Sequence, residues 1–156
     1  MPMKEETLRN LFLCLCLSLI CISSTAQTTQ RSLLLVCSDN VKLESLSHAD
    51  VRRLFLGVPM FIDKLRLRPM LNASDPLATD VFLQQIIFMS KRGYERQLVS
   101  RVFRLGDQRP PKYDNIDTLV KELLNTPGSV SYMWSGQFDD QAGLKSLGVL
   151  WTDSNN

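Results

Sequence analysis

The rhythm of apolar and polar residues changes repeatedly along the chain, and each change predicts an element. The first block, "LFLCLCLSLICISSTA" from Leu11 to Ala26, is apolar until it fades into serines and a threonine. After a polar stretch, "SLLLVCS" (Ser32 to Ser38) is a short leucine-rich run of the kind that forms a buried strand. In "SHADVRRLFLG" the period becomes helical. Val51, Leu54 and Phe55 share one face, Ser47 and Asp50 make a capping-box-like start, and Gly57 closes the helix. "DKLRLRPML" then alternates Leu65, Leu67 and Met70/Leu71 against Lys64, Arg66 and Arg68. That is the period of a half-buried strand, with Pro69 marking an edge or bulge.

"SDPLATDVFLQQIIFMS" carries the strongest helix signal, with Asp75 as N-cap and Pro76 as first helical residue. Its expected apolar stripe runs through Leu77, Val81, Ile86 or Gln85, and Phe88 with Met89. "KRGYERQLVSRVF" is expected to form another helix, starting after Gly93, with Leu98, Val102 and Phe103 inward. A third, in "DNIDTLVKELLNTPG", places Ile116, Leu119, Val120 and Leu123 at helical spacing and stops at Asn125 before Pro127. "SVSYMW" and "LGVLW" read as two final strands. Strands alternating with helices predict an α/β domain whose helices flank a mixed sheet.

The block before Gln27 alters the domain count. An apolar core this short, ending in small residues, reads as a secretory signal peptide over residues 1–26, cleaved after Ala26. Ile20 is bulky where a lipoprotein signal needs a small residue before Cys21, which argues against lipidation. Residues 27–32 are then a disordered mature terminus and 33–152 the domain. The expected location is periplasmic or secreted, with no membrane span after cleavage. Cys14, Cys16 and Cys21 leave with the signal, so Cys37 stands alone and an internal disulfide is excluded. Its apolar neighbours make it a buried structural thiol.

Charge and motifs narrow the function by exclusion. A net charge of +2 gives no reason to expect nucleic acid or an anionic membrane as partner. His48, the only histidine, sits at an exposed helix start with no serine or cysteine placed to need a base, so no enzyme is expected. One histidine and one remaining cysteine exclude a transition-metal cluster, and no glycine-rich phosphate loop or other cofactor motif is present. "NAS" at Asn72 matches a glycosylation acceptor and also reads as a simple turn. Asp139 and Asp140 read as a solvated loop. What remains is a helix entrance, Asn72 to Asp75, following Arg68; free backbone N–H groups at such an entrance attract oxyanions. Against this, Asp75 occupies the N-cap and Pro76 removes a donor. The basic loop "RVFRLGDQRPPKY" invites the same reading. Its structural residues argue otherwise: Phe103 is expected in the core, Gly106 at a turn, and Pro110-Pro111 in a rigid exit.

Three segments in order, "LSHADVRRLFLG", "RVFRLGDQRPP" and "LLNTPGSVSYM", resemble the phosphate ABC transporter substrate-binding family of periplasmic binding proteins, in its short single-domain form. The matching residues are Leu46, Ser47, Val51, Arg52, Leu54, Phe55 and Gly57; Phe103, Gly106, Pro110 and Pro111; and Pro127, Gly128, Val130 and Tyr132. The resemblance implies a single periplasmic-binding-protein-like lobe and a non-enzymatic solute-binding protein for phosphate or another oxyanion. The ligand-binding residues expected from the helix entrance are Arg68, Ser74 and Thr79. Departures are specific. The family's Ser-Gly-Thr turn falls on Pro76, Leu77 and Ala78, Asp107-Gln108 alters the glycine-rich loop, and Ser131 replaces a glycine. The alternative is an interaction module docking on an envelope protein partner without a small-molecule ligand. The apolar "FLGVPMF" (Phe55 to Phe61) would either serve that contact or fold back on the core.

Overall fold

The computed structural model describes residues 31–153 other than Asp107. The expected signal peptide and its cleavage point lie outside the described residues, as does the start of the polar stretch up to residue 30.

Strand β1 (Ser32–Ser38) is central because its side chains are apolar on both faces. It pairs antiparallel with β7 (Ser129–Trp134), Leu35 opposite Tyr132, and on its other side with β8 (Leu144–Thr152), Leu35 opposite Gly148. The two-residue strand β4 (Arg68–Pro69) runs parallel to β7, giving a mixed sheet in the order β4-β7-β1-β8. Leu33, Leu35, Cys37, Val130 and Tyr132 project into the larger core, and Val36 and Met133 into a smaller one. The "DKLRLRPML" stretch, expected as one strand, is broken. It forms β3 (Leu65–Arg66), paired with β2 (Phe61–Ile62), then β4, then β5 (Leu71–Asn72), which pairs parallel with β6 (Lys112–Tyr113). Proline has no N–H for a continuous ladder, so Pro69 lets the chain change partners. The alternation survives, with Leu67, Met70 and Leu71 buried.

Helix α1 (His48–Phe55) starts as its sequence dictates: Ser47 Oγ accepts from Asp50 N at 3.1 Å, and Val51, Leu54 and Phe55 are buried. Gly57 turns the chain at φ +88°, and a Cβ there would lie 2.8 Å from Arg101 Nε. The apolar segment after α1 mostly folds back, Leu56, Met60 and Ile62 packing on the larger core while Phe61 stays exposed.

Helix α2 (Pro76–Val81) has Asp75 as N-cap and Pro76 as first residue, then widens into a π-helical segment, Phe82–Ile87. The wider turn shifts the phase of everything after it. Ala78, Phe82, Leu83, Ile86 and Ile87 are buried, while Leu77 and Phe88, both expected inward, are exposed. Helix α3 (Lys91–Leu105) begins two residues before Gly93, because Ser90 Oγ accepts from Gly93 N. Tyr94 and Leu98 are buried, but Phe103 is 85% exposed, which overturns its expected core position. At 3.6 residues per turn Phe103 points about 140° away from Leu98. Helix α4 (Ile116–Asn125) covers the other sheet face with Leu119 and Leu123 and ends as expected before Pro127. Both sheet faces are thus flanked by helices. Among the described residues no helix is long and apolar enough to cross a membrane.

Candidate functional site

Two places could receive a ligand, and the segment from β3 to β5 joins them. At its far end is the entrance to α2. Asn72 is fully buried: its amide nitrogen donates to Tyr132 O at 3.0 Å, and its Oδ1 accepts from Ser74 N at 3.0 Å and Ser74 Oγ at 2.6 Å. Thr79 Oγ1 donates to Asn72 O at 2.9 Å, and Tyr132 OH donates to the same carbonyl at 3.0 Å. Asp75 Oδ1 accepts from Leu77 N at 2.8 Å and Ala78 N at 3.2 Å, while its Oδ2 accepts from Trp134 Nε1 at 2.9 Å. The carboxylate therefore occupies the seat an oxyanion would take at a helix N-terminus. Burial, partly opposed by the Thr79 hydrogen bond, pushes the Tyr132 hydroxyl well above its ordinary value, so it stays a donor. The Asn72 amide is spent inside the fold, and the "NAS" triplet is a turn.

At the near end is a cleft of about 590 Å³. One wall is the β3–β5 segment from Arg66 to Met70, with Arg66 and Arg68 exposed on it. Backbone bonds fix this wall: Leu67 N donates to Met60 O, Arg68 N to Gly128 O and Met70 N to Val130 O, each at 2.8 Å. Gly128 is required here, because a Cβ on it would stand 2.4 Å from Arg66 O. The end of α1 supplies a second wall through Leu54, Val58 and Pro59, braced by Arg101 Nη2 donating to Gly57 O at 2.8 Å. The loop after α3 supplies the third, through Gln108, Arg109, Pro110 and Pro111. This wall is tied to β5 where Leu71 N donates to Pro111 O.

No carboxylate lines the cleft among the described residues. Arg109 meets Glu95 at 3.6 Å, both half exposed, a pair too solvated to hold the guanidinium strongly. Neither Arg66 nor Arg68 has a side-chain hydrogen-bond or ion-pair partner among the described residues. The structure thus separates the expected binding residues: Arg68 lines the cleft, while Ser74 and Thr79 stand at the α2 entrance with their protons already donated. Arg66 and Arg109 were missed, although the alternation of arginines with leucines at 65–68 already marks one exposed row. The basic loop, set aside on sequence, supplies part of the cleft.

The remaining candidates are structural. Cys37 is buried and desolvation pushes its thiol up to about 11, so it is an inert apolar group at neutral pH. His48 Nε2 donates to Leu150 O at 2.9 Å, tying α1 to β8. Ser131 Oγ donates to Met70 O at 2.9 Å and fastens the cleft wall to β7. Among the described residues no group of three His, Cys, Asp or Glu side chains could hold a metal ion.

No family model and no curated protein matches the chain's sequence. Solved structures do match. PstS from Borrelia burgdorferi superposes with a TM-score of 0.53 at 12% identity, covering 76% of this chain and 47% of PstS. An ABC-type phosphate transport receptor from Vibrio cholerae gives 0.53 at 11% identity, covering 81% and 52%. A possible phosphate binding protein from Planctomyces limnophilus gives 0.51 at 14%, covering 76% and 41%. The fold is periplasmic-binding-protein-like. The matched region spans about half the length of these neighbours.

Proposed function

We propose that the chain is a secreted, non-enzymatic solute-binding-like lobe that holds a small oxyanion such as phosphate in the cleft, with Arg68 as its principal anchor. The observation that carries this reading is a pair of unpartnered guanidinium groups, Arg66 and Arg68, on a rigid wall where no carboxylate competes among the described residues. The fold shared with phosphate receptors supports it. A guanidinium fork matches an oxyanion in geometry and stays charged at any working pH. Binding is direct hydrogen bonding, without covalent chemistry. Ser74 and Thr79 contribute by fixing the turn that leads from this wall into α2; to touch the anion they would have to release Asn72.

A thermal-shift panel of phosphate, sulfate and chloride at matched ionic strength tests this. Phosphate or sulfate at about a hundred times its Kd stabilises the folded state by about 2.7 kcal/mol. The Arg68→Ala variant abolishes that rise. Equal melting temperatures in all three salts would sink the reading. A second reading, docking on an envelope protein, draws on Phe103 and Leu105, 85% and 62% exposed near the end of α3. It expects Phe103→Ser to abolish a stable complex in pull-down from envelope extract while leaving the anion response intact.

A further inference from the structure

We propose that the cleft takes an organic anion, a phosphate or carboxylate headgroup carried on an apolar body, rather than a bare inorganic oxyanion. The inference rests on the reading that Arg68 anchors an anion, and adds what the rest of the cleft is for.

Size is the first argument. A volume of about 590 Å³ lies within the range of about 300–1,000 Å³ usual for small-molecule and cofactor sites. A tetrahedral oxyanion, smaller than most side chains, leaves most of that space to water. The walls also divide the chemistry between them. Positive charge sits on Arg66 and Arg68 along one wall and on Arg109 in the loop, whereas Val58 and Pro59 present hydrocarbon just after α1. A bare ion would satisfy the arginines and leave this hydrocarbon wet. An ion with a ring or short chain attached would cover it and exclude that water.

Pre-organisation is the third argument. Proline residues stand in all three walls, at Pro59, Pro69 and Pro110-Pro111. The loop wall is held to β5 by Leu71 N donating to Pro111 O and Ala73 N donating to Tyr113 O, each at 2.8 Å. A wall fixed before binding loses little conformational freedom when a ligand arrives, so its apolar area contributes to affinity.

Isothermal titration of the protein with inorganic phosphate, phenyl phosphate, benzoate and phenol decides the matter. Phenyl phosphate is expected to bind about tenfold or more tighter than inorganic phosphate, the gain from burying one small apolar body. Arg68→Ala removes that binding, and Val58→Ser narrows the ratio between the two phosphates. Benzoate binding as tightly as phenyl phosphate supports the proposal and shows that the headgroup can be a carboxylate. If both phosphates bind equally, the proposal falls while oxyanion binding stands. If phenol binds as tightly as phenyl phosphate, the charged headgroup is irrelevant and the proposal falls. If nothing binds, both readings fall together.

Discussion

The entrance to α2 and the arginine cleft lie at the two ends of one short segment, residues 65–75, yet they use polar groups in opposite ways. At the entrance, Asn72, Ser74, Asp75, Thr79 and Trp134 are donors and acceptors to one another, and Asn72 is fully buried. In the cleft, Arg66 and Arg68 point charge at solvent with no partner among the described residues. A network that satisfies itself contributes stability and has little left for a ligand. Unspent charge contributes almost nothing to stability and is available to bind. Free backbone N–H groups at a helix N-terminus direct attention to the entrance, but the hydrogen bonds direct it to the cleft.

The largest effect is expected where the entrance network is cut. Asn72→Ala strips Tyr132 O and Ser74 N of a buried partner, costing about 3 kcal/mol. Urea denaturation reads this directly, and a loss below about 0.5 kcal/mol, the usual range for surface changes, would show that the entrance is not a structural hub. Asp75→Ala comes next. Losing the N-cap costs about 1 kcal/mol, and the unpaired Trp134 N–H adds to it. This variant also frees Leu77 N and Ala78 N, so millimolar phosphate should stabilise it more than it stabilises the parent and so restore part of the loss. If phosphate restores none of it, the entrance is no masked anion seat.

High pH attacks the buried core more gradually. Burial raises the Cys37 thiol from 9.0 to about 11, and raises the Tyr94 and Tyr132 hydroxyls above their ordinary 10.0. Each folded-state value is raised, so the unfolded chain releases these protons first. The stability they contribute is complete below pH 9 and is lost as pH climbs through 9 to 11 and beyond. Melting temperatures measured from pH 8 to 11 should fall, and fall less steeply in Cys37→Ala. A flat profile over that window would contradict the burial of these groups. The smallest effect on stability belongs to the cleft: Arg68→Ala should leave unfolding within about 0.5 kcal/mol of the parent while removing the anion response. A large loss of stability would erase the contrast between the two regions.

Much of the fold was legible in the residues. The caps Ser47 and Asp75, the stop before Pro127, the strand "SLLLVCS" and the buried Cys37 all follow from local rules that act within a few residues. Errors gathered where distant partners intervene. The expected stripe is offset beyond Val81 because the chain there widens into a π turn that stacks Phe82 on Tyr132 at 3.9 Å, a contact across 50 positions of chain. Phe103 looked like a core anchor because it is apolar and near a helix end; the angular position set by Tyr94 and Leu98 turns it outward. Of the expected binding residues, Arg68 lines the cleft, while the hydroxyls of Ser74 and Thr79 are engaged with Asn72, which no sequence rule displays.

What the sequence alone determined, then, is the set of elements and their ends, because capping, proline geometry and hydrophobic period are local. It also marked the arginine row at 66 and 68. Only the tertiary structure decided which polar groups were already spent. It filled the helix entrance with Asp75, fastened Asn72 to β7, and placed Arg109 of a remote loop on another wall of the cleft that the arginine row lines. Hydrogen-bond partners and cleft walls come from residues distant in the chain, and their meeting is a property of packing rather than of any single stretch.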